Sequence, residues 1–481
     1  MDINIYPQAV AGLPEAEQAM LQKLTEILTL HGGTNDTKER YYEGDIPLAE
    51  VNLGIALPEG MQGLQIGCAW GAKTVDVLAA RSMFDGFVGA DGNDVPELHE
   101  LVTSNRLLAE YPKAARDELK FGCTFATLST DEERRPRIRW HSPRSAAALW
   151  DGEKGRIGCG MAVIDTAPDN SSDTTWRPTH INLYTDKAIW VLRRTDSAWT
   201  AKAYGHKLGR PPMEPLIWNA TSAKPFGRSR INWPVRRLIQ GFVRTVANAT
   251  IGLEFATTPQ KYLLGVTEEQ FNAVTDRKFK QYVGSILAAT SNPETGEKPE
   301  FGQLTQGSIT PHVDMLRILA TQFSAATGLT VTDTGVVNDA NPTSSDAILA
   351  QSKTLVTLAE ELNTGNGEAL KTIALMALAI GRGTSVEELP DDLRSIMAHF
   401  KNPAMPNVAV TADAAMKIAT ARPAFANTDT FLEMLGFDAA SIRRIKGQEQ
   451  RTRGLEFFAE IDGADEADEG DIDDTVPQSL D

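Results

Sequence analysis

The hydrophobic positions along this chain change period several times, and each change marks an element. From Glu15, EAEQAMLQKLTEILTLHGG places its apolar residues on one face of a helix that the Gly32-Gly33 pair is expected to close. CAWGAKTVDVLAARSMFDGF follows, with Val75, Leu78, Ala79 and Ser82 or Met83 on one helical side, and a further helix is predicted from Pro96 to Leu119. The period then falls to two. FGCTFATLS, RIRWHSP, GRIGCGMAVI, HINLYTDKAIWVLRRT and AWTAKAYG are rich in β-branched and aromatic residues and separated by Gly, Asp, Asn and Pro, so Arg137 to Trp218 reads mostly as strands. The first half of the chain is expected to be α+β.

The helical period returns at Pro234, a residue suited to a first turn because its missing N–H would be unpaired there. Val235, Ile239, Phe242, Val246, Ala249 and Leu253 recur at spacings of three and four, while Arg236, Arg237, Gln240 and Arg244 gather on another side. At about 1.5 Å per residue, Pro234 to Phe255 makes a rod roughly 33 Å long. TPQKYLLGVTEEQFNAV and TSNPETGEKPEFGQLTQG then read as a small insertion with a helix and turn-rich strands. Another helix starts at Thr310 and Pro311, with Val313, Leu316, Ala320 and Phe323 as its apolar stripe and Gly328 as its stop. Leu329 to Pro342 is a polar loop too long for a minimal connector. A helix opening at the box-like Thr343 to Asp346 runs through ILAQSKTLVTLAEEL, a second covers GEALKTIALMALAIG, and shorter helices, ADAAMKIAT and TDTFLEMLG among them, fill 384 to 458.

A length of 481 residues calls for more than one domain, and 42% hydrophobic with 23% charged residues is a globular mixture. Charge changes the picture more. The chain carries a net −17, and ten carboxylates, Glu460, Asp462, Asp465, Glu466, Asp468, Glu469, Asp471, Asp473, Asp474 and Asp481, crowd a tail that is expected to stay solvated and disordered. Against that background Arg230, Arg236, Arg237 and Arg244 fall in a run with no acidic residue between Glu214 and Glu254. Residue types leave two readings open: a solvated or salt-bridged face, or contact with a polyanion.

The N-terminal MDINIYPQAVAGLPEAEQ lacks the basic and apolar regions of a secretion signal, and no stretch approaches the roughly 20 apolar residues of a membrane span, so a soluble intracellular protein is expected. Cys68, Cys123 and Cys159 are too few and too far apart for a disulfide framework or a metal pair and read as reduced core residues. Gly67 to Thr74, GCAWGAKT, has the spacing of a phosphate-binding loop except that Ala72 replaces the second glycine, whose missing Cβ lets the backbone approach phosphate; ordinary helix entry is the expected role. The histidines, His31, His99, His141, His180, His206, His312 and His399, have no ligand spacing. No motif supports catalysis, a metal or a cofactor.

Several short segments, taken in order, carry a resemblance. They are YYEGD at Tyr41, WGAKTVDVLAARSMFDGF at Trp70, DELKFG at Asp117, RWHSPRSAAALWD around Trp140, INLYTDKAIWVLRR, GHKLGRPPMEPL at Gly205, PFGRSRI at Pro225, TPQKYLLG at Thr258 and NPTSSDAI at Asn341. Over about Tyr41 to Lys417 the chain resembles the portal proteins of tailed bacteriophages, in the Gp6-like group common among phages of actinobacteria. Lys261, where relatives often have Arg, and the absence of an Asn beside Trp70 depart from the usual pattern.

That resemblance implies a ring, typically of about twelve subunits, around a channel for double-stranded DNA. It implies an α+β portal fold: a strand-rich wing over residues 1–228, stem helices over 229–255 and 308–327, a small α/β clip over 256–307, a tunnel loop over 328–343, wing helices over 344–400, a crown and wing return over 401–458, and the acidic tail over 459–481. Arg230, Arg236, Arg237 and Arg244 would face the DNA channel or the next subunit. Thr330, Thr332, Asp333, Gly335, Asn338 and Asp339 would form a mobile polar constriction. Lys261, Tyr262, Glu268, Lys298 and Glu300 would belong to the clip, where partners dock. The implied partners are further copies of the chain, double-stranded DNA, the terminase large subunit, the major capsid protein, the scaffold and the head-tail adaptor, without a membrane. The protein would be assembled in the host cytoplasm and reside at the capsid vertex, as a non-enzyme powered by a separate motor. The alternative is a DNA-binding or scaffolding protein that forms no ring.

Overall fold

The computed structural model describes residues 6–47, 66–89, 95–169, 172–195, 198–257, 261–264, 296, 300–303, 308–336, 345–404, 408–437, 442 and 444–452. The chain separates into two compact units, residues 1–403 and 404–481. In chain order the first unit contains α1 (Glu15–Glu43), α2 (Trp70–Ala79), β1 (Phe84–Val88), α3 (Pro96–Ser104), α4 (Leu107–Phe121), β2 (Cys123–Thr130), β3 (Pro136–His141), β4 (Ala146–Asp151), β5 (Arg156–Asp169), β6 (Ser172–Tyr184), β7 (Ala188–Thr195), β8 (Ala198–Gly205) and β9 (Met213–Ile217). It continues with α5 (Trp233–Thr257), β10 (Lys261–Leu264), β11 (Glu300–Gln303), α6 (Thr310–Thr327), α7 (Ser345–Arg382), α8 (Asp391–Arg394) and β12 (Met397–Phe400). The second unit holds α9 (Val408–Ala421) and α10 (Asp429–Met434), the latter capped by the Thr428 hydroxyl accepting from the Phe431 N–H. The acidic tail lies outside the described residues.

The strand-rich region is α+β as expected. Strands β4-β5-β6-β7-β8 form an antiparallel sheet on which α1 lays Leu21, Leu24 and Leu28 against Met161, Ile181, Leu183 and Leu192. A second sheet, β3-β2-β9, has β2 at its centre. Strand β2 is buried on both faces, because Cys123 and Phe125 join one apolar cluster while Ala126 and Leu128 join another beneath α4 and α7. The short β1, with Gly86 inside it, escapes a periodicity reading and pairs antiparallel with β12, far away in sequence.

Three predicted helix boundaries fail for the same reason: a polar side chain near each finds a hydrogen-bond partner outside its own helix. Helix α1 runs through Gly32-Gly33 to Glu43 and ends at Gly44, which takes the left-handed conformation (φ 76°) and donates its N–H to Arg40 O. A mid-helix glycine costs about 1 kcal/mol relative to alanine. The extra turns bury Tyr41, worth roughly 1.5–3 kcal/mol as a large apolar side chain, and bring the Asn35 amide to Pro143 O at 3.2 Å. The helix predicted over Pro96 to Leu119 is instead split at Asn105-Arg106, where the Asn105 amide donates to Pro136 O (3.1 Å) and its oxygen accepts from Ile138 N–H (2.9 Å). Conversely, the two helices predicted after Thr343 are one, α7, whose 38 residues span about 57 Å. Its Asn363 and Asn366 do not cap anything. They reach sideways into the core, Asn363 to Ser82 at 2.6 Å and Asn366 to Tyr111 and Glu118 at 3.0 and 2.8 Å.

Cys68, Cys123 and Cys159 are free and buried, and burial pushes their thiols up to about 11, 12 and 11, so none ionises near neutrality. Among the described residues no helix is long and apolar enough to cross a membrane.

Candidate functional site

Helices α5 and α6 pair along their length, and the pair is rooted in the core at one end. The apolar residues of α5 that are buried are Val235, Ile239, Val243, Ala247 and Ile251, a strict i, i+4 row, in place of the predicted stripe through Phe242, Val246, Ala249 and Leu253. Packing against α6 follows one ridge, so Phe242 and Val246 sit at its flank, where Trp70 of α2 meets Phe242, and Leu253 is exposed. On α6, Leu319, Ala320 and Phe323 are buried, whereas the predicted Val313 is exposed along with Met315 and Ile318. Gly241 lets the helices touch, since a Cβ there would stand 3.1 Å from Leu319 Cδ2.

Trp70 locks the root. Its ring lies 4.6 Å from that of Phe242 and 4.5 Å from that of Phe323, and its indole N–H donates to Thr334 O at 3.0 Å. One side chain thus ties α2, α5, α6 and the turn after α6 together. Gly71 beside it is required by close approach, because a Cβ would meet Tyr41 O at 1.9 Å. Thr74 turns its hydroxyl back to Trp70 O (2.8 Å) and Lys73 is exposed, so the Gly67 to Thr74 segment serves as helix entry, as its missing glycine implied.

The four arginines divide. Arg230 is 8% exposed and does not face a channel or a neighbour, which corrects its expected role. Its guanidinium donates to Thr74 O (2.7 Å) and Thr327 O (2.5 Å) and lies 5.7 Å from the centre of the Trp218 ring. Burial pulls its pKa from the usual 12.5 down to about 10, so it remains a cation at neutral pH. Arg236 is half-buried, 5.9 Å from the Tyr41 ring centre, with an Nε that is buried without a hydrogen-bond partner. Arg237 and Arg244 are exposed; Arg237 donates to Gln240 Oε1 at 3.0 Å and lies beside the exposed Trp233. Seven residues apart, they share one side of the helix.

The segment after α6 also differs from expectation over its described part. Leu329, Val331 and Val336 pack into the core, Asp333 accepts from Thr330 N–H (2.9 Å) and Oγ1–H (2.8 Å), and Thr332 to Thr334 form a short 3-10 turn ended by Gly335 at φ 74°. These residues form a hydrogen-bonded turn. Asn338 and Asp339 lie outside the described residues, as do Glu268 and Lys298. Lys261, Tyr262 and Glu300 fall on a two-stranded antiparallel pair in which Lys261 faces Gln303, Tyr262 faces Gly302 and Leu264 faces Glu300.

Two features carry no sequence motif. One is a buried polar network in which Glu118, wholly enclosed, accepts from Asn366, which also donates to Tyr111. The other is a cavity that receives Lys38, a residue of the part of α1 beyond its expected end. Among the described residues no group of three His, Cys, Asp or Glu could hold a metal.

A family model, phage portal protein, SPP1 Gp6-like, matches residues 22–454. The chain is 24% identical over 421 residues to the portal protein of Mycobacterium phage L5, covering 85% of this chain and 83% of that one. It is 25% identical over 391 residues to the portal protein of Mycobacterium phage D29, covering 79% and 77%. Among solved structures it is similar to a chain from the virion of a native gene transfer agent particle, at 12% identity and TM-score 0.47 over 84% of this chain and 93% of that one. A chain from the neck of the native particle, computed with C12 symmetry, is similar at 11% identity and TM-score 0.45 over 76% and 89%.

Proposed function

The chain belongs to the SPP1 Gp6-like phage portal protein family, and from that membership we propose that it closes into a ring at a capsid vertex through which double-stranded DNA enters and leaves the head. One observation in the molecule carries the ring: the α5–α6 pair leaves Leu253, Val313, Met315 and Ile318 exposed although it is packed at its root. Val313 and Met315 are about 200° apart around α6. Apolar surface on more than one side of a rod fits a neighbour on each side, as a heterologous ring provides.

Arg237 and Arg244 then face the bore or the adjoining copy. A conduit must let DNA slide, and each neutralised phosphate tightens binding through counterion release, so a few exposed arginines on an acidic protein give weak, sequence-blind contact. The wing, stem, clip and crown follow the sequence boundaries given above, with α5 and α6 as the stem helices and the β10–β11 pair within the clip, where terminase and the head-tail adaptor dock. The major capsid protein and the scaffold are the remaining partners of a ring that assembles in the host cytoplasm. The work of packaging comes from the separate terminase.

Electron microscopy of the purified, negatively stained protein tests the ring. Annular particles with a central hole are expected at high concentration. Monomers or dimers that still bind DNA would favour a DNA-binding or scaffolding protein that forms no ring.

A further inference from the structure

A cavity of about 540 Å³ opens between α1, β4, the loop preceding α5 and the first turn of α5. Its size is within the range of about 300–1,000 Å³ usual for ligand sites. The wall has two characters. Phe121 and Phe125 make part of it apolar, while Lys38, Lys224, Arg228 and Arg236 bring cations to it, and no Asp or Glu is among its described lining residues.

A chain of net charge −17 has carboxylates to spare, and on the same helix it uses them. Lys120 pairs with Glu39 at 3.0 Å, and Arg144 pairs with Asp36 at 3.2 Å and Glu39 at 3.6 Å. Among the described residues the cavity cations have no such partners. Lys38 Nζ donates to two neutral acceptors, Phe121 O at 2.9 Å and Asn35 Oδ1 at 3.3 Å. Arg236 Nε is buried and unpaired. Burial lowers the Lys38 pKa, Cys123 opposes that, and the nearby charge of Arg236 lowers it further, so the two cations repel in a partly dry place. A half-buried cation without a counter-charge is costly, and an anion bonded to both would relieve it with charge-assisted hydrogen bonds.

We propose that this cavity binds an acidic peptide segment of a partner protein, its carboxylates meeting Lys38 and Arg236 and an aromatic or aliphatic side chain lying against Phe121 and Phe125. Charge complementarity selects the carboxylates, and the apolar wall selects a peptide over a nucleic-acid duplex, whose bases are stacked within the helix and would leave those rings without a partner. The site does not require the ring, because every residue it uses lies in one copy of the chain.

The probe is a fluorescein-labelled peptide of about a dozen residues alternating Phe with Glu and Asp, titrated with the purified full chain and read by fluorescence anisotropy. Saturable binding is expected, and Arg236→Gln should weaken it at least about tenfold, the size set by losing a charged hydrogen bond. Lys38→Gln should do the same. Arg237→Gln, outside the cavity, should leave it unchanged. Arg236→Gln should also melt no lower than the parent protein, since an unpaired cation is being removed, so a loss of binding will not reflect unfolding. Affinity that is unaffected by Arg236→Gln would overturn the assignment. So would equal binding of an all-Glu peptide, which would make the apolar wall irrelevant, or a duplex oligonucleotide whose binding alone depends on Lys38 and Arg236.

Discussion

Arg230 and Arg244 stand in one basic run, yet they occupy opposite environments. Arg230 precedes α5, where the chain passes between α2 and the end of α6, and its guanidinium is enclosed by the carbonyls of Thr74 and Thr327. Thr327 is the last residue of α6, so the cation also meets the negative end of that helix. Arg244 is on the solvent side of α5. One arginine fastens the helix pair to the core, and the other is available for whatever approaches the pair. The difference teaches that a cluster of like charges in a sequence is not one site. Burial, set by where each residue falls relative to the packed row, decides what each charge does.

The comparison breaks first at Arg230. Arg230→Met keeps much of the volume but leaves two enclosed carbonyls without their donor, and it should cost about 3–5 kcal/mol, from two charge-assisted hydrogen bonds and the acceptors left unpaired. Denaturant unfolding of the purified protein measures this. A loss below about 1 kcal/mol would mean that the guanidinium is not a fastening.

How far the sequence foretold these roles depends on the distance over which the deciding contacts act. Local signals are legible: Pro234 in the first turn of α5, Gly328 at the end of α6, and the strands from Cys123 to Gly205. The apolar row of α5 is not legible because Phe242 or Val243 satisfies a helical period equally well, and only the position of α6 chooses between them. Gly32-Gly33 reads as a stop, and residues 363–366 as a gap between two helices, because the partners that hold neighbouring Asn35, Asn363 and Asn366, namely Pro143, Ser82, Tyr111 and Glu118, are remote in sequence. Lys38 reaches the cavity only because α1 continues past Gly33. The motif order near Trp70 and Gly205 did point to the family, but it could not say which arginine was buried.

The buried network around Glu118 sharpens the contrast from the other side. Arg230 has bonds for its charge, whereas Glu118 Oε1 and Asn366 Oδ1 are both buried without partners. Burial pushes the Glu118 carboxyl up to about 8, against the opposing hydrogen bond from Asn366, so the folded protein keeps this proton where the unfolded chain, near 4.5, has lost it. The folded state then binds more protons between those values, and its stability falls as pH rises from about 4.5 through about 8, by about 5 kcal/mol in all, and levels above. Glu118→Gln keeps the shape and the bond to Asn366 but cannot ionise, so its unfolding free energy should lose that slope. An identical pH dependence in the variant would show that the carboxyl is not held neutral.

The smallest effect on folding belongs to the exposed pair. Arg237→Glu combined with Arg244→Glu replaces surface side chains outside the packed row, and such changes alter stability by no more than about 0.5 kcal/mol. Function should respond differently. Where these arginines face the bore, reversal places carboxylates beside DNA phosphates along the rod; where they face the adjoining copy, it disturbs closure. The yield of DNA-filled particles should fall in both cases, and micrographs of the purified protein separate them, since rings persist in the first and are lost in the second. Virions formed at parental yield with full-length DNA would place both arginines on plain solvated surface, and α5 would then act through its packed row alone.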